Sequence, residues 1–164
     1  DSASQESFDN EFVIRQEQKN ERENVLEIGL DRFKKKVRFS MNIDDEEIRK
    51  RYVEHVGGHE RNWEKHQRLV ALTRGGGMAG SVWAGVSGFN EKIAMIYELV
   101  ICDNFRESNV SERLLSSIEK WAKEKNFSTM YVLLHSEDDL DVDFFKSKGY
   151  AVPGYFMEKR LKPK

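Results

Sequence analysis

The period of the hydrophobic positions changes along the chain, and each period predicts a kind of secondary structure. A short apolar run at residues 12–14 is typical of a strand. After it, apolar residues recur at the spacing of one helix face: Leu26, Leu30, Phe33 and Val37. Asp44 and Glu47 have the spacing of a capping box and predict a second helix, which we expect Gly57-Gly58 to end. A further short helical piece is expected between residues 60 and 66.

Three consecutive strands are predicted in the middle of the chain. They span residues 68–73, 78–88 and 92–102, and glycine-containing turns at 75–77 and 88–91 separate them. Because short turns join neighbouring strands in opposite directions, this order predicts an antiparallel meander.

The third of these strands leads directly into a helix. The apolar run 99–102 is followed by a polar turn at 103–108 and then by a stripe of apolar residues at helical spacing: Val110, Leu114, Leu115, Ile118, Trp121 and Ala122. Asn126 stands just after the predicted helix, at the position where a residue with a left-handed backbone often ends a helix. A strand that turns sharply into a helix leaves the first helical amides unpaired, which suits an anion and above all a phosphate.

The last part of the chain repeats the alternation of strand and helix. Residues 130–134 are predicted to form a buried strand. Asp138 and Asp139 are expected to cap a helix that Gly149 ends, and residues 150–161 are expected to supply one or two last strands.

Composition and charge narrow the class of protein. The chain has 164 residues, of which 38% are hydrophobic, and this predicts a single domain at 11–164. Residues 1–10 are polar and acidic without a hydrophobic period, and we expect them to form a flexible lead-in. A charged fraction of 34% with a net charge of −2 argues against nucleic-acid binding. No apolar run approaches the length of a membrane span, and the lone Cys102 fits a reducing compartment. We therefore expect a soluble, cytoplasmic protein without membrane contact.

The histidines raise the question of a metal site. His55, His59 and His66 are close together in sequence, but two glycines interrupt the first pair and no third ligand is suitably spaced. We expect surface or substrate-facing histidines and no metal.

The strand and turn before the long helix resemble a known family. Leu99-x-Ile101, followed by Arg106 and then by Val110 between two small polar residues, is similar to the GCN5-related N-acetyltransferases (GNAT). In that family the strand reads roughly L-x-V, and the turn reads Q/R-x-x-G-I/V-G/A. Asn109 and Ser111 stand at the two glycine positions, where Asn tolerates a left-handed backbone and Ser permits close approach.

A second block has the spacing of the same family. Its members often show N-x-x-A-x-x-x-Y-x-x-x-G-F, and the equivalent positions here are Asp138, Asp141, Phe145 and Gly149-Tyr150. The resemblance implies an α/β (α+β) fold of the GNAT type. Such a fold has a mixed, mostly antiparallel central sheet of six to seven strands flanked by about four helices.

The resemblance also implies acetyl-CoA as co-substrate. The backbone of the strand would bind its pantetheine arm, through Leu99, Val100 and Ile101. The turn and helix start would bind its pyrophosphate, through Arg106, Glu107, Ser108, Asn109, Val110, Ser111 and Glu112. Asp138 stands where an Asn usually touches the cofactor, and a helix N-cap is its alternative role.

Candidate catalytic groups follow from the chemistry of acetyl transfer to an amine. The amine must lose a proton, and Glu98 on the strand is the first candidate base, with His135 the second. Family members often use a Tyr to protonate the leaving thiolate, but Phe145 stands there. Tyr97, Tyr131 and Tyr150 are the remaining candidates for the acid.

The predicted function is therefore N-acetyl transfer from acetyl-CoA to an amine of a small molecule or a protein, by direct attack in a ternary complex. The alternative is a non-catalytic GNAT-like module that binds acyl-CoA or a partner. A homodimer is left open by the sequence.

Overall fold

The computed structural model describes residues 12–37, 43–60, 63–135 and 138–155, together with 157, 159 and 161. The described residues form a five-stranded sheet in the order β1-β2-β3-β4-β5. Its strands are β1 (Phe12–Gln16), β2 (His66–Thr73), β3 (Met78–Val86), β4 (Ile93–Ile101) and β5 (Thr129–Val132). Its helices are α1 (Arg22–Val37), α2 (Asp45–Glu60), α3 (Val110–Glu124) and α4 (Val142–Ser147).

The sheet is mixed and mostly antiparallel, which confirms the predicted fold class. Strands β1 to β4 pair antiparallel in sequence order, and β5 pairs parallel to β4. Its five strands among the described residues are fewer than the predicted six to seven. In the described segment 150–155 the backbone forms no strand, and several residues of the predicted last strands lie outside the described part of the chain.

Helices cover the two faces of the sheet with separate cores. On one face, α3 and Phe145 of α4 pack on alternate strand residues, among them Val82 and Ile96. On the other face, α1 and α2 pack on Trp83 through buried residues: Leu30, Ile48, Tyr52 and Val56. Since neighbouring strand residues point to opposite faces, Val82 and Trp83 contribute to different cores.

The start of α2 was predicted correctly, but its end was not. Asp44 accepts a hydrogen bond from the Glu47 amide at 2.8 Å, as expected of an N-cap. The helix runs through Gly57-Gly58 to Glu60, because a pair of glycines lowers helix propensity without forbidding the helix. The expected helical piece at 60–66 is instead a short 3₁₀ turn, Trp63–Lys65, directly before β2.

A left-handed residue was expected at each end of α3, and the structure has one only after the helix. Asn109 has φ −84° and ψ 11°, so the turn before the helix does not use the left-handed conformation expected there. Asn126, after the helix, does have a left-handed φ of 64°, which confirms the predicted C-terminal residue.

The segment after α3 required two corrections. Strand β5 alternates between exposed and half-buried residues and is not buried, because it is the last strand of the described sheet. Helix α4 is capped by Asp141, which accepts from the Phe144 amide at 2.9 Å, and not by Asp138 or Asp139.

Candidate active site

A β-bulge in β4 places two consecutive side chains on the same face of the sheet. Glu98 lies opposite Trp83, but Ile96 lies opposite Ala84, so Tyr97 is the extra residue of β4. Tyr97 stacks on Trp83, with ring centroids 4.9 Å apart. Since a bulge breaks the alternation of a strand, Tyr97 and Glu98 both face α1 and α2.

The first cavity of interest, which we call the α1–β4 cleft, lies between these helices and β4. It has a volume of about 450 Å³, part of which is open to solvent. Aromatic rings form much of its wall: Phe33, Tyr52, His55, Trp83 and Tyr97. The charged residues of the wall are Arg32, Glu98, Asp138 and Asp139.

The second cavity lies where β4 and β5 diverge, and we call it the β4–β5 cavity. The two parallel strands pair only from Ile93–Thr129 to Ile96–Val132. Beyond that point they separate around a space of about 290 Å³, whose lining includes Glu98, Leu99 and Phe145. The continuation of β4 past Ile96 is therefore not paired with β5 and lines this space with its backbone and side chains.

Glu98 is held at the junction of the two cavities, since it lines both of them. The Tyr52 hydroxyl donates to the two carboxylate oxygens of Glu98, each at 3.0 Å. Helix α1 passes directly over this pair at Gly29, where a Cβ atom would collide with the Tyr52 hydroxyl and the Glu98 carboxylate. Gly29 therefore permits the close approach of α1, which forms one side of the cleft.

The tyrosines near the two cavities are hydrogen-bond donors with raised pKa values. Burial, and then the Glu98 carboxylate, raise the pKa of Tyr52 far above its usual range. Burial also raises the pKa of Tyr97, whose hydroxyl donates to the Val86 carbonyl at 2.7 Å. Tyr150 donates to Glu119 at 3.1 Å, and burial raises its pKa. A raised pKa makes each of these hydroxyls a weaker acid toward a thiolate.

A buried ion pair is hydrogen-bonded to the backbone at the end of β4. The Arg32 Nε donates to both Asp139 oxygens at 3.0 Å, and the Asp139 side chain is only 5% exposed. The Ile101 amide donates to Asp139 at 3.1 Å, and the Ile101 carbonyl accepts from Arg32 Nη2 at 3.2 Å. A ligand that bonded to the Ile101 backbone would have to displace these two side chains.

The turn before α3 is joined to the same ion pair. Arg106 Nη2 donates to Asp103 at 3.0 Å and lies 3.4 Å from Asp139. Arg106 holds the pKa of the Asp103 carboxyl below its usual range. Ser108 Oγ accepts from the Val110 amide at 3.3 Å, so one of the amides expected to hold pyrophosphate is bonded within the turn.

The structure brings some of the predicted site residues together and separates others. Glu98, Leu99 and Asp138 line both cavities, and Val100 lines the α1–β4 cleft. His135, the second candidate base, is not among the described residues that line either cavity. Its backbone amide donates to the Asp138 carboxylate at 2.6 Å.

The histidines on the α2 side of the sheet pack among aromatic rings. His66 is buried, and its Nδ1 accepts from Trp83 Nε1 at 3.3 Å. His55 lies edge-on to Trp83, with ring centroids 5.6 Å apart. Within the described residues, no three His, Cys, Asp or Glu side chains form a group that could hold a metal ion, and the side chain of His59 lies outside them.

Comparison with protein families identifies the fold. The model of the acetyltransferase (GNAT) family matches residues 37–150, which include β4, the turn and α3. The chain belongs to the GNAT family. It has no match among curated protein sequences.

Solved GNAT structures share this fold over nearly the whole chain. A putative acetyl transferase from Pyrococcus furiosus has a TM-score of 0.73 and 23% identity, over 92% of this chain and 100% of its own. An aminoglycoside acetyltransferase from an uncultured soil metagenomic sample, in complex with sisomicin, has a TM-score of 0.59 and 22% identity over 96% and 99%. AAC(6′)-Iy, in complex with the bisubstrate analog CoA-S-monomethyl-acetylneamine, has a TM-score of 0.61 and 16% identity over 93% and 99%.

Three residues that shape this candidate site were not singled out from the sequence. Gly29, Arg32 and Tyr52 all belong to α1 or α2, far in sequence from Glu98 and Asp139. A glycine and an arginine on a helix predicted to be amphipathic are the signal that could have drawn attention to the first two.

Among the described residues, no helix is both long and apolar enough to span a bilayer.

Proposed function

We propose that this GNAT protein transfers an acetyl group from acetyl-CoA to an amine that enters the α1–β4 cleft. One observation carries the proposal: a carboxylate, Glu98, stands where this cleft meets the β4–β5 cavity. A base at this junction can reach a proton on an amine that approaches from the cleft side. Family membership and a neighbour that binds a CoA bisubstrate analog support the same reaction.

The residues around the β4–β5 cavity suit the pantetheine arm and pyrophosphate of acetyl-CoA. The backbone of Leu99 and Val100 is not paired with β5, because the pairing of β4 with β5 ends at Ile96. The start of α3 and the half-exposed Arg106 supply positive potential for the phosphates. Acetyl-CoA would supply the thioester, and the protein would supply orientation and proton transfer.

Glu98 is proposed to move the proton in both halves of the reaction. An ammonium group that enters the cleft first loses one proton to solvent. The neutral amine then attacks the acetyl carbon, and the Glu98 carboxylate takes a second proton from its nitrogen as the carbon–sulfur bond breaks. The protonated Glu98 then returns the proton to the thiolate. This return is favourable because a carboxylic acid is a stronger acid than a thiol. This route to the thiolate requires no tyrosine at position 145, where Phe145 is only 3% exposed.

A second function is favoured by the ion pair at the end of β4. Asp139 accepts a hydrogen bond from the Ile101 amide and forms an ion pair with Arg106. The Ile101 backbone and Arg106 were both expected to contact acetyl-CoA. A chain in which this arrangement persisted would bind acyl-CoA weakly and serve as a non-catalytic binding module.

A titration with acetyl-CoA distinguishes these two functions. At about 100 times its Kd, a ligand stabilises the native state by about 2.7 kcal/mol, which is roughly 5–10 °C in Tm for a chain of this size. We expect a dose-dependent shift with acetyl-CoA and coenzyme A, a smaller one with adenosine diphosphate, and release of coenzyme A when amines are added. A shift without release of coenzyme A would favour a module that binds acyl-CoA, and no shift at millimolar ligand would contradict acetyl transfer and favour a module that binds a partner.

The Tyr52–Glu98 contact predicts a change in the pH profile of acetyl transfer. The hydroxyl stabilises the charged carboxylate, so Tyr52→Phe makes Glu98 easier to protonate. Because the base must be unprotonated, the acid limb of kcat/KM should move to higher pH. Tyr97→Phe is the matched control, since its hydroxyl bonds to a carbonyl in the same cleft and its loss should leave the limb in place. Equal limbs in the two variants would show that Tyr52 does not act on the base.

A further inference from the structure

We propose that the amine accepted in the α1–β4 cleft is a small monoamine with a flat aromatic body, and neither a phosphorylated amino sugar nor a polycation. This inference rests on the proposed function and specifies its substrate class. The charges and the rings that line the cleft carry it.

The charges of the cleft disfavour an anionic acceptor. Three carboxylates face one guanidinium among the lining residues: Glu98, Asp138, Asp139 and Arg32. That guanidinium is already bonded to Asp139 at 3.0 Å and to Asp31 at 2.8 Å. A phosphate placed here would be repelled by the excess of carboxylates, and the Arg32 guanidinium that could bind it is already paired. An ammonium group would be attracted by the same carboxylates.

The placement of the carboxylates indicates one ammonium group and not several. Asp139 already receives bonds from Arg32 and the Ile101 amide, with Arg106 Nη2 at 3.4 Å. Asp138 accepts from the His135 amide at 2.6 Å. These two carboxylates therefore serve the protein's own structure, and Glu98 is the carboxylate placed among the aromatic rings. A polyamine or an aminoglycoside would bring additional charges to a wall made mainly of rings.

The rings form two walls that suit a flat apolar group. On the sheet side, Trp83 and Tyr97 stack at 4.9 Å with an interplanar angle of 29°. On the helix side, Phe33 and Tyr52 lie 5.4 Å apart. Phe33 and Tyr97 are half-buried, so parts of their rings reach the cleft. Aromatic pairs add stability beyond the burial of area, and ring faces also attract an ammonium group.

The test compares five amines at saturating acetyl-CoA, of which 2-cyclohexylethylamine matches 2-phenylethylamine in size. The substrates are 2-phenylethylamine, 2-cyclohexylethylamine, glucosamine 6-phosphate, spermidine and sisomicin, and release of coenzyme A is followed. We expect kcat/KM for 2-phenylethylamine to exceed that for its cyclohexyl analogue by about threefold to tenfold, the range that ring stacking supplies. It should exceed the values for the phosphorylated and polycationic amines by about 100-fold.

A pair of variants locates the preference in the cleft. Phe33→Leu removes one ring of the wall and should raise KM for 2-phenylethylamine severalfold without changing KM for acetyl-CoA. Phe127→Leu is the matched control, because Phe127 is also partly buried but packs on Trp121, outside the cleft. Binding of 2-phenylethylamine to the protein with coenzyme A, measured by calorimetry, gives the same comparison without turnover.

The outcomes separate this inference from the proposed function. A preference for glucosamine 6-phosphate, spermidine or sisomicin, or equal effects of the two variants, would overturn the aromatic monoamine. Calorimetric binding of 2-phenylethylamine that depends on Phe33, with no release of coenzyme A, would uphold the inference and contradict acetyl transfer. Absence of both binding and release would overturn the inference.

Discussion

Replacing Glu98 by Gln is expected to lower kcat by about 10²- to 10⁴-fold, the range that general base catalysis supplies. Gln keeps the size of the side chain and can still accept from the Tyr52 hydroxyl, so the fold and the affinity for acetyl-CoA should change little. Initial rates at several pH values and the thermal shift with acetyl-CoA measure the two effects separately. The acid limb of the pH profile should disappear with the carboxylate.

The control for this substitution is a similar pair elsewhere in the chain. Glu119 on α3 also accepts from a tyrosine hydroxyl, that of Tyr150, but it does not line either cavity among the described residues. Glu119→Gln should therefore leave kcat within about twofold. An unchanged kcat in Glu98→Gln would remove Glu98 as the base, whatever the effect at Glu119.

Gly29→Ala is expected to damage both stability and activity, although Ala is the better helix former by about 1 kcal/mol. The added methyl group would collide with the Tyr52 hydroxyl and the Glu98 carboxylate, and it would displace α1 or break their contact. Overpacking of this kind costs about 1–3 kcal/mol, so we expect a net loss of stability and at least a tenfold loss of kcat/KM. Urea denaturation and initial rates measure the two losses.

Gly58→Ala provides the opposite expectation in the neighbouring helix. A Cβ at Gly58 has no heavy atom within 4 Å, and the residue lies within α2. This variant should be more stable than the parent by about 0.5–1 kcal/mol and equally active. Equal stability changes at the two glycines would show that α1 does not approach Glu98 as closely as the structure indicates.

Local sequence signals predicted the elements that depend on local physics. The meander of β2, β3 and β4 followed from short apolar runs between glycine-containing turns. The caps at Asp44 and Asn126 followed from side-chain and backbone preferences that act within a few residues. Glu98 was selected because the reaction needs a base on β4, and its role remains a prediction.

The features that the sequence did not predict depend on contacts between distant residues. The Arg32–Asp139 pair joins positions 107 apart in sequence, so Asp139 looked like a helix cap beside Asp138. The bulge at Tyr97 could not be predicted, because Tyr97 is aromatic and Glu98 is polar, and neither residue type is confined to one face of a strand. Helix α2 continues through Gly57-Gly58, while its buried Tyr52 and Val56 pack on the sheet. In each case tertiary packing, and not the local preference, decided the structure.

The ion pair between Arg32 and Asp139 would couple the two proposed substrates thermodynamically. Both residues line the α1–β4 cleft, and Asp139 also accepts a hydrogen bond from the Ile101 amide at the end of β4. A ligand that bonded to the Ile101 backbone would separate the pair and change the charge in the cleft. Each substrate would then alter the affinity of the other by the same factor, because such coupling is reciprocal.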